Sequence, residues 1–425
     1  MKNFHLLILI QLLVALLVNF HPIFTTLHAL ITAGFGIYFS LTDKNTHRSL
    51  IVIFYIIGSE LLWRGFKASI FWEFGKYSVI VILLILMNRF GLSKLRRKSG
   101  FLIVLLLLPS FVSLEEFNRQ DIAHSISGPF CMGLAMVIFS NNIISISQLR
   151  TYCFAALMPI ISLFALTFYS TIQFGAYDME AAYIYEATTV GIGPNQVSNI
   201  LGLGILLCFL LSILDKRYGD FYRIIGLLLF FQTILTFSRG GLWSALIAII
   251  FAIVYTIKAS PRKSKFLLGL VTFSGLLYFY IIPKIDDLSG GTLSERYLDT
   301  DLSRREFLIA SELNAFRENP IFGLGPGESR KYRIQISGSK KHSHTEYSRL
   351  MSEHGLFGIS IILILFFTTV KTFSSNLGLS KGISISFAIW SLLFMFHSAT
   401  RLAAPCVIFA LSLSRFNFNK KELIN

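Results

Sequence analysis

Charged residues are scarce in this chain of 425 residues: Asp, Glu, Lys and Arg together make up 14% of it, whereas 54% is hydrophobic. A soluble domain carries about 25% charged residues and has no need of repeated apolar runs of about 20 residues. Such runs recur along nearly the whole sequence. Because they are continuous and do not alternate with polar residues, they predict membrane-spanning helices and exclude a β-barrel.

Cysteine is rare as well. The four cysteines, Cys131, Cys153, Cys208 and Cys406, all fall in apolar runs and lack the spacing of metal ligands. We therefore interpret them as small core residues and expect neither disulfides nor a metal site from them.

The apolar runs predict fourteen spans, at residues 5–20, 23–41, 49–63, 77–90, 101–113, 128–142, 152–172, 196–214, 224–238, 240–257, 266–283, 356–373, 383–399 and 402–414. The last pair can also be read as one broken or re-entrant element. The predicted fold class is thus all-α, a polytopic transmembrane helix bundle of about 12–14 spans. It carries one long outer loop that contains short amphipathic helices.

The net charge of +15 comes from basic residues in the loops, as orientation signals require, and does not indicate a nucleic acid partner. With a cytoplasmic N-terminus, alternate loops and the two tails hold 21 of the 38 basic residues. The short outer loops hold six, namely Arg64, Lys67, Lys76, Arg119, Arg239 and Arg401. This asymmetry predicts that both termini are cytoplasmic and that the long loop lies outside.

The same pattern divides the chain into four parts. Residues 1–195 are N-terminal transmembrane helices, and 196–283 are central helices with a Ser-Arg-Gly-Gly turn. Residues 284–355 form the outer loop, and 356–425 form the C-terminal helices and a cytoplasmic tail.

Arg239 is the first candidate for a functional charge. It lies in Ser238-Arg239-Gly240-Gly241, between two apolar runs with almost no loop, so it is held at the membrane face. An arginine that only marks the interface is one interpretation. The other is a guanidinium that binds an anionic group, because Arg binds phosphate in a bidentate manner and keeps its charge.

Three further outer segments carry polar candidates. Arg64 lies in an aromatic loop, where Trp63 and Trp72 can be part of a simple aromatic belt. Arg119 precedes another span. Asn195 and Gln196 follow Gly193-Pro194, where a plain helix start is as reasonable as a ligand site.

The long loop contains two notable stretches. Residues 302–318 predict an amphipathic helix with Phe307, Ala310, Leu313 and Phe316 on its apolar face, ended by Asn319-Pro320. Further on, His342, His344 and Glu346 cluster just before the span at 356–373. Their spacing differs from that of a helical zinc protease, and solvated surface histidines are the simple alternative.

Three motifs in this order resemble the bacterial O-antigen ligase and polymerase superfamily, membrane glycosyltransferases with a Wzy-type C-terminal domain. They are Ser-Arg-Gly-Gly at 238–241, Arg305 before Asn319-Pro320-x-x-Gly323-x-Gly325, and His344-Thr345-x-x-x-x-Leu350-x-x-Glu353-x-Gly355-x-x-Gly358. The resemblance covers about residues 195–360.

The resemblance implies a GT-C-like fold and a reaction without metal or cofactor. A glycan would pass from undecaprenyl pyrophosphate to a sugar hydroxyl of a glycan or lipid A core acceptor, at the periplasmic face of the inner membrane. By position, Arg239 and Arg305 would bind the pyrophosphate and His344 the acceptor hydroxyl, with His342 and Glu346 in support. The family commonly has an Arg upstream of Gly193-Pro194-Asn195. This chain has none between Gln173 and Asn195, so Arg64 or Arg119 would supply that charge.

A flippase or other transporter of lipid-linked oligosaccharides is the alternative from another class. It requires charges distributed through the spans and often shows internal repeats. The sequence has few charges within spans and no evident repeat. A membrane scaffold is a third alternative, but it leaves the clustered Arg and His residues unexplained.

The predicted orientation can be tested with cysteine labelling. A cysteine introduced at Ser339, in the long loop, should react with an impermeant thiol reagent in intact spheroplasts. A cysteine at Ser264, in a basic loop, should not react until the membrane is opened. The opposite labelling pattern would refute the orientation.

Overall fold

The fold was analysed in a computed structural model, which describes residues 4–90, 99–114, 116–140, 142–174, 188–256, 279–280, 283–284, 303–338 and 343–417. The structure is about 82% helical, and the two strands seen in the described residues have three residues each. The all-α helix bundle predicted from hydropathy is therefore confirmed.

The helices of the N-terminal half are α1 (Phe4–Phe20), α2 (Pro22–Thr42), α3 (His47–Gly65), α4 (Phe74–Phe90), α5 (Ser99–Leu106), α6 (Arg119–Phe139) and α7 (Ile146–Phe174). A 3₁₀ turn at Pro109–Ser113 follows α5, and strand β1 (Ile143–Ser145) precedes α7. The remaining elements are α8 (Pro194–Leu214), α9 (Gly219–Leu235), α10 (Arg239–Thr256), α11 (Ser303–Glu318), α12 (Ser329–Ser337), α13 (Glu346–Ser375), α14 (Gly378–Ser398), α15 (Ala404–Ser412) and β2 (Arg415–Asn417).

Helices overlap thirteen of the fourteen predicted spans, and the span at 266–283 lies largely outside the described residues. By length and composition, six of the described helices can cross a membrane: α2, α6, α7, α8, α13 and α14. Shorter apolar helices occur at Phe4–Phe20, Ser99–Ser113 and Arg239–Tyr255.

The predicted span at 402–414 is wrong as a crossing helix. Helix α15 has nine residues and is therefore about 14 Å long, less than half of a hydrocarbon core of about 30 Å. All its residues are buried, and β2, directly after it, pairs in parallel with β1. Ala399, with φ 51° and ψ −163°, separates α14 from α15. The broken-element interpretation of the last two spans is the one that the structure supports.

Helix α13 also joins two parts, because Gly355 has φ 58° and ψ −135° inside it. The backbone N–H of Leu356 donates to Pro320 O at 2.8 Å, which leads the outer segment onto the kink. A Cβ at Gly355 would lie 2.5 Å from Ile321 O, so only glycine fits here. A short helix that precedes the membrane span is thereby fixed at an angle to it.

Helix α11 corresponds to the helix predicted at residues 302–318, but the predicted apolar face is wrong. Phe307 is 42% exposed, whereas Leu308, Ser311, Glu312 and Ala315 are buried. The reason is an ion pair: Glu312 on α11 binds Arg333 on α12 at 2.7 Å, and both side chains are 1% exposed. Hydropathy alone cannot assign a carboxylate to a buried face.

Glu312 also accepts hydrogen bonds from the hydroxyls of Ser343 and Ser348, which flank the start of α13. Burial raises the pKa of the Glu312 carboxyl, and the hydrogen bonds from the two serines and the charge of Arg333 oppose this rise. The carboxylate therefore links α11, α12 and α13 through three partners.

Replacing Glu312 should be strongly destabilising. Glu312→Leu would leave the buried Arg333 without its carboxylate, and loss of one partner of a buried pair costs about 3–5 kcal/mol. The free energy of unfolding, or the thermal midpoint of the purified protein in detergent, should fall accordingly. Glu306→Gln, an exposed change on the same helix, is the matched control. Equal stability of the two variants would contradict the structural role of Glu312.

Candidate active site

A polar cleft lies where four parts of the chain meet: the first turns of α6, the start of α12, the start of α13, and the break between α14 and α15. It encloses ≈ 510 Å³, its open mouth included. Its lining residues are Asp121, His124, Ser125, Gly327, Ser329, Arg330, Arg333, Ser343, Arg349, Glu353, Ala399, Thr400 and Arg401. We refer to this feature as the polar cleft.

Arg349 binds the start of α13 to α6. Its Nη2 lies 2.5 Å from Glu346 Oε1, one turn earlier, and its Nη1 lies 3.5 Å from Glu353 Oε2, one turn later. Nη1 also donates to the backbone oxygen of Ser125 at 2.8 Å. The charge of Arg349 is therefore balanced by two carboxylates of its own helix.

Glu353 is 2% exposed and lines the cleft. The hydroxyl of Ser329 donates to its Oε1 at 2.6 Å, and the hydroxyl of Ser125 donates to its Oε2. The next residue, His354, is 1% exposed and its Nδ1 lies 2.7 Å from Ser110 Oγ. Glu353 of the third motif thereby joins α6 and α12 to α13 at the cleft, and His354 joins α13 to the 3₁₀ turn.

The break between α14 and α15 brings Thr400 and Arg401 to the cleft. The Arg401 Nη2 donates to the backbone oxygen of Ser343 at 2.7 Å, and Ser343 directly precedes His344. The backbone N–H of Thr400 donates to Glu346 Oε2 at 3.0 Å. The broken helix pair is thus attached to the segment that carries the predicted catalytic histidine.

A buried network of charges binds the backbone at the break between α14 and α15. It consists of Glu60 and Arg64 on α3 and Glu73 and Lys76 at the start of α4, and we call it the Glu60 network. Arg64 Nη2 lies 2.5 Å from Glu60 Oε1 and 3.6 Å from Glu73 Oε1, and Lys76 Nζ lies 2.5 Å from Glu73 Oε2. Glu60 Oε2 accepts from the backbone N–H of Ala403 at 2.8 Å.

Two side chains of this region bear on what the sequence predicts. Glu60, inside the predicted span at 49–63, is one of the few charges expected within spans; it is 1% exposed and paired. Trp63 is 2% exposed, and its Nε1 donates to His28 at 2.8 Å, so it belongs to the core and not to an aromatic belt. The pairing of Glu60 with Arg64, four residues on, is the sequence signal that could have revealed the first point.

Arg64 reaches the segment for which a missing arginine is predicted. Its Nη1 donates to Gln196 Oε1 at 3.4 Å, and its guanidinium lies over the Trp72 ring, 5.1 Å from the centroid. Its Nη2 also donates to the backbone oxygen of Arg401 at 3.0 Å. The side chain is only 3% exposed, so these contacts within the protein surround it.

The Ser-Arg-Gly-Gly turn is tied to the same segment. The Ser238 hydroxyl donates to Asn195 Oδ1 at 2.8 Å, and the backbone N–H of Gly241 donates to Ser198 Oγ at 3.0 Å. A Cβ at Gly202 would collide with Gly241 O, so the glycines let α8 and α10 approach closely.

Arg239 itself is exposed at the first residue of α10. A Cβ at the following Gly240 would lie 3.1 Å from the His397 ring, near the end of α14. Gly240 therefore faces the end of α14.

The remaining predicted site residues lie as follows. His344 is half-buried in the turn before α13, whose N-cap is Thr345. Arg119 is exposed at the first residue of α6, two residues before Asp121 of the cleft. His342 and the side chain of Arg305 lie outside the described residues. The observed partners of Glu346 include Arg349 and the N–H of Thr400.

The sequence did not single out Arg349, Arg401 or His124 as site residues. Arg349 is flanked by acids at the spacing of ion pairs along a helix, which is a usable signal. Arg401 follows a span directly, but only the break at Ala399 brings it to the cleft.

Among the described residues, no group of three or more His, Cys, Asp or Glu side chains could hold a metal ion. All four cysteines are free and buried, in agreement with their interpretation as core residues.

Residues 224–363 match the family model Wzy_C, described as O-antigen ligase. No curated protein matches the chain. The matched residues include Arg239, helices α11 and α12, and the kinked start of α13, which supplies Arg349 and Glu353 to the cleft. This match supports the resemblance of the chain to the O-antigen ligase/polymerase superfamily.

Proposed function

We propose that the protein transfers a glycan from undecaprenyl pyrophosphate to a sugar hydroxyl at the periplasmic face of the inner membrane. The observation that carries this proposal is the polar cleft. Four arginines, Arg330, Arg333, Arg349 and Arg401, line it, and three of them lie in the matched domain. A cationic cleft in a helix bundle suits a substrate with an anionic headgroup and a lipid tail.

The leaving group sets the main chemical requirement. When the anomeric carbon is released from the lipid, negative charge develops on the pyrophosphate. Fixed guanidinium groups stabilise such charge and bind phosphate oxygens in pairs. An anion bound by Arg239, which is exposed at the N-terminus of α10, would also be attracted by the backbone N–H groups of that helix end. The side chain of Arg305 would join it by the family resemblance.

The acceptor needs help with its proton. In the proposed step, the acceptor oxygen forms a bond to the anomeric carbon while the bond from that carbon to the pyrophosphate oxygen breaks. The hydroxyl proton passes to a base. His344 is suited to this role, because imidazole exchanges protons near neutral pH. It follows Ser343, which lines the cleft.

Ligase and polymerase share this chemistry and differ in the acceptor. A ligase would use a lipid A core, whereas a polymerase would use a growing glycan. A deletion strain separates them: absence of all attached surface glycan indicates a ligase, and glycan limited to a single repeat indicates a polymerase.

A flippase for lipid-linked oligosaccharides is a second candidate. Glu60 and Lys76, buried within helices α3 and α4, are the kind of charges that it requires. Both residues have oppositely charged partners, which favours a fixed support over a transport path. A flippase would move lipid-linked glycan across the membrane of proteoliposomes without forming a new glycosidic bond.

Arg239 should be essential for transfer. Arg239→Ala removes the guanidinium, and loss of one charge-stabilising donor typically costs about 10²–10³-fold in kcat. Arg239→Lys keeps the charge but loses the planar fork, so activity should remain strongly reduced. Transfer of lipid-pyrophosphate-linked glycan by purified variants is the measurement.

Arg223→Ala is the matched control, because Arg223 is exposed near the start of the preceding helix and pairs with Asp220. It should leave transfer unchanged. Near-normal transfer by Arg239→Ala, at normal expression, would contradict the role of Arg239.

His344→Ala should lower transfer by about 10²–10⁴-fold, the usual contribution of a general acid or base. Donor binding should persist, and His342→Ala should be much milder. If His342→Ala is inactive and His344→Ala is normal, the roles of the two histidines are reversed.

The same assay in EDTA tests metal independence. Wild-type transfer should persist, because arginines take the place of a cation at the leaving group. Loss of activity that a divalent ion restores would refute this part of the mechanism.

A further inference from the structure

The arginines of the polar cleft differ in whether a carboxylate neutralises them. Arg333 is paired with Glu312 at 2.7 Å, and Arg349 is paired with Glu346 and Glu353. Within the part of the chain that the structure describes, no carboxylate forms an ion pair with Arg330 or Arg401. Arg330 and Arg401 therefore lack the direct carboxylate partners that Arg333 and Arg349 have.

Of these two arginines, Arg401 is the better placed to bind a ligand in the cleft. Its Nη2 donates to Ser343 O at 2.7 Å, and Ser343 directly precedes His344 in the chain. A guanidinium has five N–H groups, and this one belongs to a partly exposed residue in the cleft wall. Its other donors can therefore bind a ligand there.

Three hydrogen bonds fix the backbone around Arg401. Glu346 accepts from the N–H of Thr400, Glu60 accepts from the N–H of Ala403, and Arg64 donates to the oxygen of Arg401 itself. Ala399 has φ 51°, a conformation that residues with a Cβ rarely adopt and that persists only when the surroundings impose it. The chain is thus held in a strained form that brings Arg401 to the cleft.

Arg64 is unsuited to bind a substrate anion. Its side chain is 3% exposed, Glu60 and Glu73 balance its charge, and Gln196 and the Arg401 oxygen accept its N–H groups. An incoming anion would have to displace two carboxylates. The contact with Arg401 makes Arg64 a support for the arginine that faces the cleft.

We propose that Arg401 binds an oxyanion of the substrate in the polar cleft and that Arg64 is its positioning residue. The oxyanion is either a phosphate of the lipid-linked pyrophosphate or the carboxylate of an acidic sugar, since guanidinium binds both in the same bidentate manner. The identity of the substrate rests on the proposed function; the anion site does not. Arg64 is thereby moved from the predicted donor-binding group to the support of Arg401.

Direct binding measurements test the role of Arg401. The full-length protein in detergent is titrated with inorganic pyrophosphate and, separately, with glucuronate. Arg401→Gln should weaken the binding of one of these anions at least tenfold. Arg317→Gln, an exposed arginine near the end of α11, is the matched control and should leave both affinities unchanged.

The two probes distinguish the source of the oxyanion. A loss confined to pyrophosphate assigns Arg401 to the donor, and a loss confined to glucuronate assigns it to an acidic sugar. Unchanged affinity for both anions in a folded Arg401→Gln protein overturns the proposal.

A double-mutant cycle tests the role of Arg64. Arg64→Lys keeps the charge near Glu60 and Glu73 but cannot hold Gln196, Glu60 and the Arg401 oxygen together. It should weaken anion binding in the wild-type background and have no further effect in Arg401→Gln. An equal loss in both backgrounds would show that Arg64 binds the anion directly. No loss in either background would remove its positioning role.

Thermal unfolding of each variant shows whether it is folded. If Arg64→Lys fails to fold, Glu60→Gln takes its place in the cycle, because it keeps an acceptor for Ala403 N–H and weakens the hold on Arg64. The same non-additivity with Arg401→Gln is then expected, and its absence would overturn the positioning role.

Failure of this proposal and failure of the proposed function give different results. If the wild-type protein transfers glycan and the Arg401→Gln variant binds both anions normally, only the Arg401 site is refuted. If the wild-type protein transfers no glycan but binds an anion, and Arg401→Gln abolishes that binding, the anion site stands and the glycosyltransferase assignment is refuted.

Discussion

The hydrogen bonds that Glu60 and Arg64 make to the backbone at Ala403 and Arg401 are the constraint on which the polar cleft depends. Burying a carboxylate and a guanidinium among helices is costly, and the two charges meet that cost by pairing at 2.5 Å. Both residues also make hydrogen bonds to the backbone at the break between α14 and α15. Without this support, the strained Ala399 would be free to relax, and Arg401 would leave the cleft.

The third motif contains both the kink of α13 and the charged side chains that bind neighbouring elements at the cleft. Gly355 turns α13 sharply, so the residues before it lie across the cleft and those after it enter the bundle. Glu346 and Glu353 then balance Arg349 and bind the neighbouring elements, through Thr400 on one side and Ser125 and Ser329 on the other. Glu346 and Glu353 of this motif are thus structural supports of the polar cleft.

The sequence predicted the all-α fold, because long continuous apolar runs leave few alternatives in lipid. It also singled out Asn195, Gln196, Arg64 and the Ser-Arg-Gly-Gly turn, which the structure joins through Ser238–Asn195 and Arg64–Gln196 contacts. The buried face of α11 and the pairing of Glu60 with Ala403 could not be predicted, since they depend on partners far away in the chain. Nor does Ala399 carry any local signal for its positive φ, because alanine normally avoids that region.

The contact between Glu60 and Ala403 joins residues 343 positions apart. The wall of the cleft that carries Arg401 can therefore form only after the last two helices have been synthesised and inserted. Helix α15 is too short to be held in lipid by itself and must enter the bundle together with α14, into a place lined by α3 and α6. During biogenesis, the earlier helices must leave this place open. A nascent chain halted before α14 would be integrated in the membrane but would lack the part of the cleft that Arg401 provides.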